Sequence, residues 1–372
     1  MKYYIIAGEA SGDLHAANLM RAIREKDDKA EFRVWGGNRM KAAGGVVVKH
    51  YRDLAFMGFA EVVKNLPKIL KNISFCKQDI KSYKPDVLIL VDYPGFNLRI
   101  AEFAKKAGCR VIYYISPQVW AWKQTRVKKI RKYVDKMIVI LHFEKDFYSR
   151  HGVNVDFVGH PLLDALVQEK VTPKEIFYEK YLLDERPVIA LLPGSRKQEI
   201  ARMLSIMLEV MPDFSEYQFV VAGINTITLK FYRSIIGERE VKLLINDTHN
   251  LLHYAEAAIV TSGTATLETA LIGTPEVVCY KGSLLSYWIA TKLVNVKYIS
   301  LVNLIMDRLV VKELIQHDFT RENLTEELNL LLKDQSTRKR IKNDYRELHK
   351  KLGEEGASKR AAGLIVGMLE SR

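Results

Sequence analysis

The chain has 372 residues, of which 48% are hydrophobic and 27% charged, with three cysteines and a formal net charge of +13. That size and apolar content can bury two cores of ordinary domain size, which excludes a disordered or fibrous protein. Cys76, Cys109 and Cys279 stand too far apart for a CxxC pair or any other metal-ligand spacing, and no apolar run approaches the roughly 20 residues that span a bilayer, so the expectation is a cytoplasmic protein, neither secreted nor transmembrane.

The charge is unevenly placed. Residues 1–150 hold 29 lysines and arginines against 15 acidic residues, a net +14, and the remainder nets −1. A field concentrated in this way favours an anionic partner: nucleic acid, an acidic membrane face or a phosphorylated substrate.

Short β-rich runs at Tyr3–Ala7, Val87–Val91, Val111–Ile115 and Met137–Leu141 alternate with helical stretches such as Asn18–Lys26 and Leu98–Ala107, the rhythm of a parallel α/β sheet. The same rhythm restarts at Val188–Leu192, Gln218–Ala222 and Ala258–Thr261. We therefore expect an α/β protein of two Rossmann-like, doubly wound domains facing across a cleft. The expected boundaries are 1–166 and 187–336, with a linker at 167–186. Helices at 337–372 either cross back onto the first domain or exchange with a partner chain.

Taken in chain order, the first motif is GEASGD (Gly8–Asp13), a loop between strand and helix in which Gly8 and Ser11 can meet a substrate. From Val62 to Cys76, 100° steps put Val62, Val63, Leu66, Ile69, Leu70, Ile73 and Cys76 on one arc, with Lys64, Lys68 and Lys71 opposite. Two readings of that pattern stand, an interfacial helix on anionic lipid and ordinary core packing. Next, the apolar strand Val87–Val91 delivers Asp92 to its carboxyl end beside Pro94, Gly95 and Asn97, where a carboxylate is placed to act as a general base. Trp120 and Trp122 follow and read as core or pocket wall. Seven basic residues among the fourteen from Lys123 to Lys136 form an outward helical face against Val127, Ile130, Val134 and Met137. No RNA-binding signature accompanies them.

In the second half, LLPGSR presents Gly194, Ser195 and Arg196 at a strand-to-helix turn, where free N–H groups, the helix dipole and a guanidinium fork suit a diphosphate. TSGTATLE repeats the device: Gly263 allows close approach, Ser262 and Thr264 offer hydroxyls, and Glu268 can accept from ribose. Two anion turns in one sheet point to a nucleotide. The absence of GxxxxGK[ST] and GxGxxG argues against ATP hydrolysis and ordinary NAD binding.

GEASGD, DYPGFN, SPQVWAW, FEKDFY (Phe143–Tyr148), VGHP, LLPGSR, TSGTATLE and SLVNLI (Ser300–Ile305) stand in the order and spacing of the lipid-A-disaccharide synthases, and the chain resembles that family over its full length. The resemblance implies the GT-B architecture and an inverting glycosyltransferase that uses no metal or other cofactor. Its donor would be UDP-2,3-diacylglucosamine and its acceptor 2,3-diacylglucosamine 1-phosphate, met at the anionic surface of the inner membrane by a peripherally bound protein. Nucleic acid is not an expected partner, and a homo-oligomer is left open. By carry-over, Asp92 is the base and Arg196 offsets charge on the departing diphosphate. Ser262, Gly263, Thr264 and Glu268 hold UDP, Asn303 lies near the donor, and Ser11 and Asn97 lie near the acceptor. The chain departs from the family pattern at Gly95, where a second aspartate is usual, and at Val302, where proline usually precedes the asparagine. The alternative is another GT-B enzyme acting on a UDP-sugar, an epimerase or a cell-wall precursor glycosyltransferase.

Overall fold

A computed structural model describes residues 1–53, 65–120, 124–282 and 297–371. They divide into two units, Met1–Glu169 with Leu352–Arg372, and Lys170–Lys351.

The first unit holds strands β1 (Lys2–Ala7), β2 (Glu31–Gly36), β3 (Val46–His50), β4 (Val87–Val91), β5 (Arg110–Tyr114), β6 (Lys136–Val139) and β7 (Val155–Phe157). All pair in parallel in the order β3-β2-β1-β4-β5-β6-β7. In the second unit β8 (Val188–Leu192), β9 (Gln218–Gly223), β10 (Lys242–Ile245), β11 (Ala255–Thr261), β12 (Glu276–Tyr280) and β13 (Glu313–Ile315) pair in parallel as β10-β9-β8-β11-β12-β13. The central strands β4 and β8 are buried throughout, as expected of sheets covered on both faces. Each order reverses once, beside β1 and beside β8, and ligands of doubly wound sheets bind at such reversals.

The run 167–186 is not a linker. It contains the helix Lys174–Tyr181, whose Phe177 is fully buried in the second core, with Tyr178, Tyr181 and Leu183 packed against it. One buried aromatic in a charge-rich octet leaves almost no periodic trace. At the other end, the helix Gln335–Leu352 belongs almost entirely to the second unit, and only the helix Ala357–Glu370 returns to the first.

That last helix packs on Ala10–Arg24 and Pro161–Gln168. Its first amides, on Gly356, Ala357 and Ser358, donate to the Asp164 carboxylate at 2.6, 3.3 and 2.9 Å, which satisfies N–H groups that a helix cannot pair internally. Arg360 donates to the carbonyls of Val158 and Glu354 at 2.9 and 2.6 Å. Gly159 has φ +83°, and a Cβ there would lie 2.9 Å from the Arg360 guanidinium. The VGHP segment is thus a socket for the end of the chain.

The amphipathic stretch divides between its two readings. Lys64, Val62 and Val63 lie outside the described residues. In the helix Leu66–Tyr83, Ile73 and Cys76 are buried against the core that holds Tyr4 and Trp35, with Ile69 packed at its edge. Ile73 is therefore a core residue and not a membrane contact. Leu66 and Leu70 are 47% and 55% exposed, and Lys68 and Lys71 are exposed beside them. The basic helix spans Val127–Tyr133, burying Val127 and Ile130, while Val134 ends it and Met137 belongs to β6. Among the described residues no helix is long and apolar enough to cross a membrane.

Replacing Asp164 by Ala removes an acceptor shared by three amides. We expect a loss on the order of 1–2 kcal/mol in thermal or denaturant unfolding, with hydrogen-exchange protection falling first along residues 357–370.

Candidate active site

In the first unit the strand reversal sets the ends of β1 and β4 side by side, Ala7 opposite Val91, so GEASGD and DYPGFN form one rim. Asp92 and Tyr93 both hold left-handed backbone angles, φ +45° and +49°, a conformation that costs non-glycine residues energy and persists where the surroundings enforce it. The enforcement is visible. The Asp92 carbonyl accepts from Asn97 Nδ2 at 2.7 Å and from the Tyr113 hydroxyl at 2.5 Å, and its amide donates to the Ile115 carbonyl at 3.2 Å. With the main chain clamped, the Asp92 side chain is fixed at the rim, where it is half-buried.

Burial in that rim, which strips water from the charged form, raises the Asp92 carboxyl from the usual range to about 7. The negative charge of Glu9 adds to the rise, and the Tyr93 amide opposes it. Glu9 is a residue that sequence reasoning passed over. It stands inside GEASGD at the position just before the helix Ala10–Arg24, without a side-chain capping bond, so its position in the motif was a signal in plain view.

Two expected substrate contacts are corrected. Asn97 is fully buried, and its Nδ2 serves the carbonyls of Val91 and Asp92, so it positions the loop and does not reach out of it. Gly8 is buried beneath the Tyr93 ring, where a Cβ would fall 2.4 Å from that ring. Ser11 is half-buried in the first helical turn. Asp13 is also structural, its carboxylate receiving the amides of Gly37, Arg39 and Met40 at 2.6–3.1 Å. Gly95 is exposed, with nothing among the described residues within 4 Å of a Cβ position, so the lack of an aspartate there leaves their packing intact.

Beside this rim Trp120 is half-buried and meets Phe143 edge-on at 5.0 Å between centroids. Trp122 lies outside the described residues. Next to Phe143, Glu144 is 1% exposed and accepts from the Leu141 amide at 3.1 Å. Burial pushes its carboxyl up to about 7 against hydrogen bonds that include Ser116.

In the second unit the reversal joins the ends of β8 and β11, Leu192 opposite Val260. Gly194 turns the chain at φ +105°, and the helix Lys197–Met207 begins after Arg196. The Ser195 amide donates to Glu199 Oε2 at 3.0 Å, and Arg196 lies 3.9 Å from the same carboxylate, with half its side chain exposed. Glu199, unforeseen from sequence, thus occupies donors that would otherwise face an anion. Ser262 Oγ donates to the Ile299 carbonyl at 3.0 Å. Gly263 and Thr264 are exposed, and a Cβ on Gly263 would find only the Thr261 carbonyl, at 3.9 Å. Among the described residues, packing therefore makes no demand for glycine there. Glu268 Oε2 lies 3.3 Å from His249 Nε2, which brings an unforeseen histidine to this rim.

Asn303 is the third correction. It is fully buried. Its Nδ2 donates to the Val311 carbonyl and to Glu313 at 2.8 and 2.9 Å, and its Oδ1 receives the amides of Val310 and Val311 at 2.8 and 3.0 Å. Every polar site on it is used, so it locks the loop and has nothing left for a donor sugar. Val302 sits in the first turn of the helix Leu301–Met306, whose Ser300 cap receives the Asn303 amide. A first-turn residue needs no intrahelical acceptor, so valine serves there as proline would.

Comparison with known proteins places these rims in context. The family model for lipid-A-disaccharide synthetase matches residues 3–366. The lipid-A-disaccharide synthase of Trichlorobacter lovleyi is 40% identical, over 98% of this chain and 97% of that one. Among solved structures, S. aureus MnaA with UDP superposes at a TM-score of 0.71 and 14% identity, covering 99% of this chain and 97% of that one. The glycotransferase of kitacinnamycin superposes at 0.66 and 13%, covering 99% of each. At such identities the likeness is one of fold, that of the GT-B glycosyltransferases and epimerases.

Because the Glu9 charge adds to the rise at Asp92, Glu9→Gln is expected to lower the midpoint of the Asp92 titration below about 7. Carboxyl-carbon NMR on the full chain checks it. An unchanged midpoint would mean that burial alone sets the value.

Proposed function

The chain belongs to the lipid-A-disaccharide synthase family, and from that membership we infer that it transfers 2,3-diacylglucosamine from UDP-2,3-diacylglucosamine to the 6-hydroxyl of 2,3-diacylglucosamine 1-phosphate, releasing UDP. The observation that carries the mechanism is the clamped, half-buried Asp92 with its carboxyl near 7. A base of that strength is half ionised at neutral pH, and it can take the hydroxyl proton as the acceptor oxygen attacks. The oxygen bonds to the anomeric carbon on the face opposite UDP, and the bond to the diphosphate breaks with its electron pair going to phosphate oxygen. One displacement inverts the centre and needs no enzyme nucleophile.

Charge then grows on the leaving diphosphate. In the second unit Arg196, loosely held by Glu199, and the N-terminal ends of the helices Lys197–Met207 and Thr264–Ile272 supply the opposing field. The uncrowded backbone at Gly263 supports a nucleotide lying against the chain there, with Glu268 and His249 beside it. We assign no metal to this chemistry. Leu66 and Leu70, exposed on the same helix as the exposed Lys68 and Lys71, support peripheral docking on the anionic cytoplasmic face of the inner membrane, and the outward basic residues of Val127–Tyr133 add to the attraction.

Purified chain given both lipids in detergent should release UDP only when the acceptor is present, at the same rate with EDTA. Asp92→Asn should lower kcat by about 10²–10⁴ and Arg196→Ala by about 10²–10³. Activity should rise with pH through about 7 and level above it, because the base must lose its proton. A folded chain that makes no disaccharide would overturn the reading.

A further inference from the structure

We propose that a cavity in the first unit, lined by none of the residues assigned above to the Asp92 rim, binds a phosphate group. The cavity measures about 230 Å³ and is lined by Leu14, Asn18, Arg21, Arg39, Ala165 and Glu169. Leu14, Asn18 and Arg21 share one face of the helix Ala10–Arg24, at spacings of four and three residues.

Asn18 carries the argument. It is only 6% exposed, and its Oδ1 receives Arg21 Nη1 at 2.8 Å. A guanidinium can only donate, so this contact fixes which amide atom is oxygen. The other atom, Nδ2, is buried without an acceptor in the protein. A buried donor left unmade costs about 1–3 kcal/mol, and the residue that carries it lines the cavity together with two arginines. Neither arginine forms an ion pair among the described residues, and both are exposed enough to turn inward. Two cations outweigh the single carboxylate of Glu169, and the apolar walls at Leu14 and Ala165 limit the water that would compete. Three groups of donors around a space of this size suit one tetrahedral dianion, which guanidinium forks bind bidentately.

The ligand chemistry has two sources, the 1-phosphate of the acceptor lipid and free inorganic phosphate. The first rests on the transferase reading and deepens it, because this helix begins at Glu9, beside the Asp92 loop. The second does not depend on that reading.

The test titrates the full chain with sodium phosphate against sodium chloride at equal ionic strength, following thermal unfolding. Wild type and Lys41→Gln, an exposed cation on the same short helix as Arg39, should both be stabilised by phosphate. Arg39→Gln, whose exposed side chain makes no hydrogen bond or ion pair among the described residues, should bind phosphate about tenfold more weakly. In turnover assays of Arg39→Gln, a tenfold rise in KM for the acceptor alone, with kcat kept, identifies the lipid's phosphate as the ligand. An unchanged KM together with weakened phosphate binding identifies free phosphate. The proposal fails if phosphate stabilises wild type no more than chloride does, or if Arg39→Gln responds as wild type does. The unfolding arm needs no turnover, so an inactive chain would overturn the transferase reading and leave this one standing.

Discussion

A parallel sheet that is wound outward in both directions must reverse once, and at that reversal two neighbouring strands send their chains to opposite faces, leaving a gap at their carboxyl ends. Here the reversals fall between β1 and β4 and between β8 and β11. They determine that GEASGD lies against DYPGFN and that LLPGSR lies against TSGTATLE, pairs separated by about 80 and 70 residues of chain. Much of the remaining polar chemistry secures these four loops. Asn97 and Tyr113 grip the carbonyl of Asp92, Asp13 ties the GEASGD helix to the segment after β2, and Asn303 with Glu313 pins the stretch that meets Ser262.

The strands, the reversal loops and Asp92 were legible because each leaves a local mark: an unbroken apolar run, then a turn with glycine or proline, then a helix. The inward asparagines were not. A motif asparagine looks the same whether its amide faces ligand or backbone, and only the three-dimensional count of partners separates the cases. Asn97 and Asn303 both proved to hold loops in place. The amphipathic helix was legible only in part, for a related reason. Periodicity finds an apolar arc but not what covers it, and the covering ends partway along, with Ile73 buried and Leu70 exposed. Glu199 and His249 were missed because each acts through a neighbour brought close only by a turn or by a second helix.

The two units also divide the electrostatic work. The first carries most of the positive charge, which suits a partner met as an extended anionic surface, while the near-neutral second places a few cations and helix ends at one rim. Within the positive unit, Asp92 is nonetheless raised, because burial and Glu9 act at close range and the lysines are spread through solvent, where their influence is screened.

The Asp164 socket ties the first unit to the end of the chain, and this gives the protein a history as well as a shape. On the ribosome the first sheet is finished long before its closing helix exists. Throughout synthesis of the second unit, the apolar flank of Ala10–Arg24 stands open, a surface for chaperones or for neighbouring nascent chains. The second unit matures as an insertion within an incomplete host. A chain cut short before residue 357 would therefore injure the unit whose sheet was made before the second one.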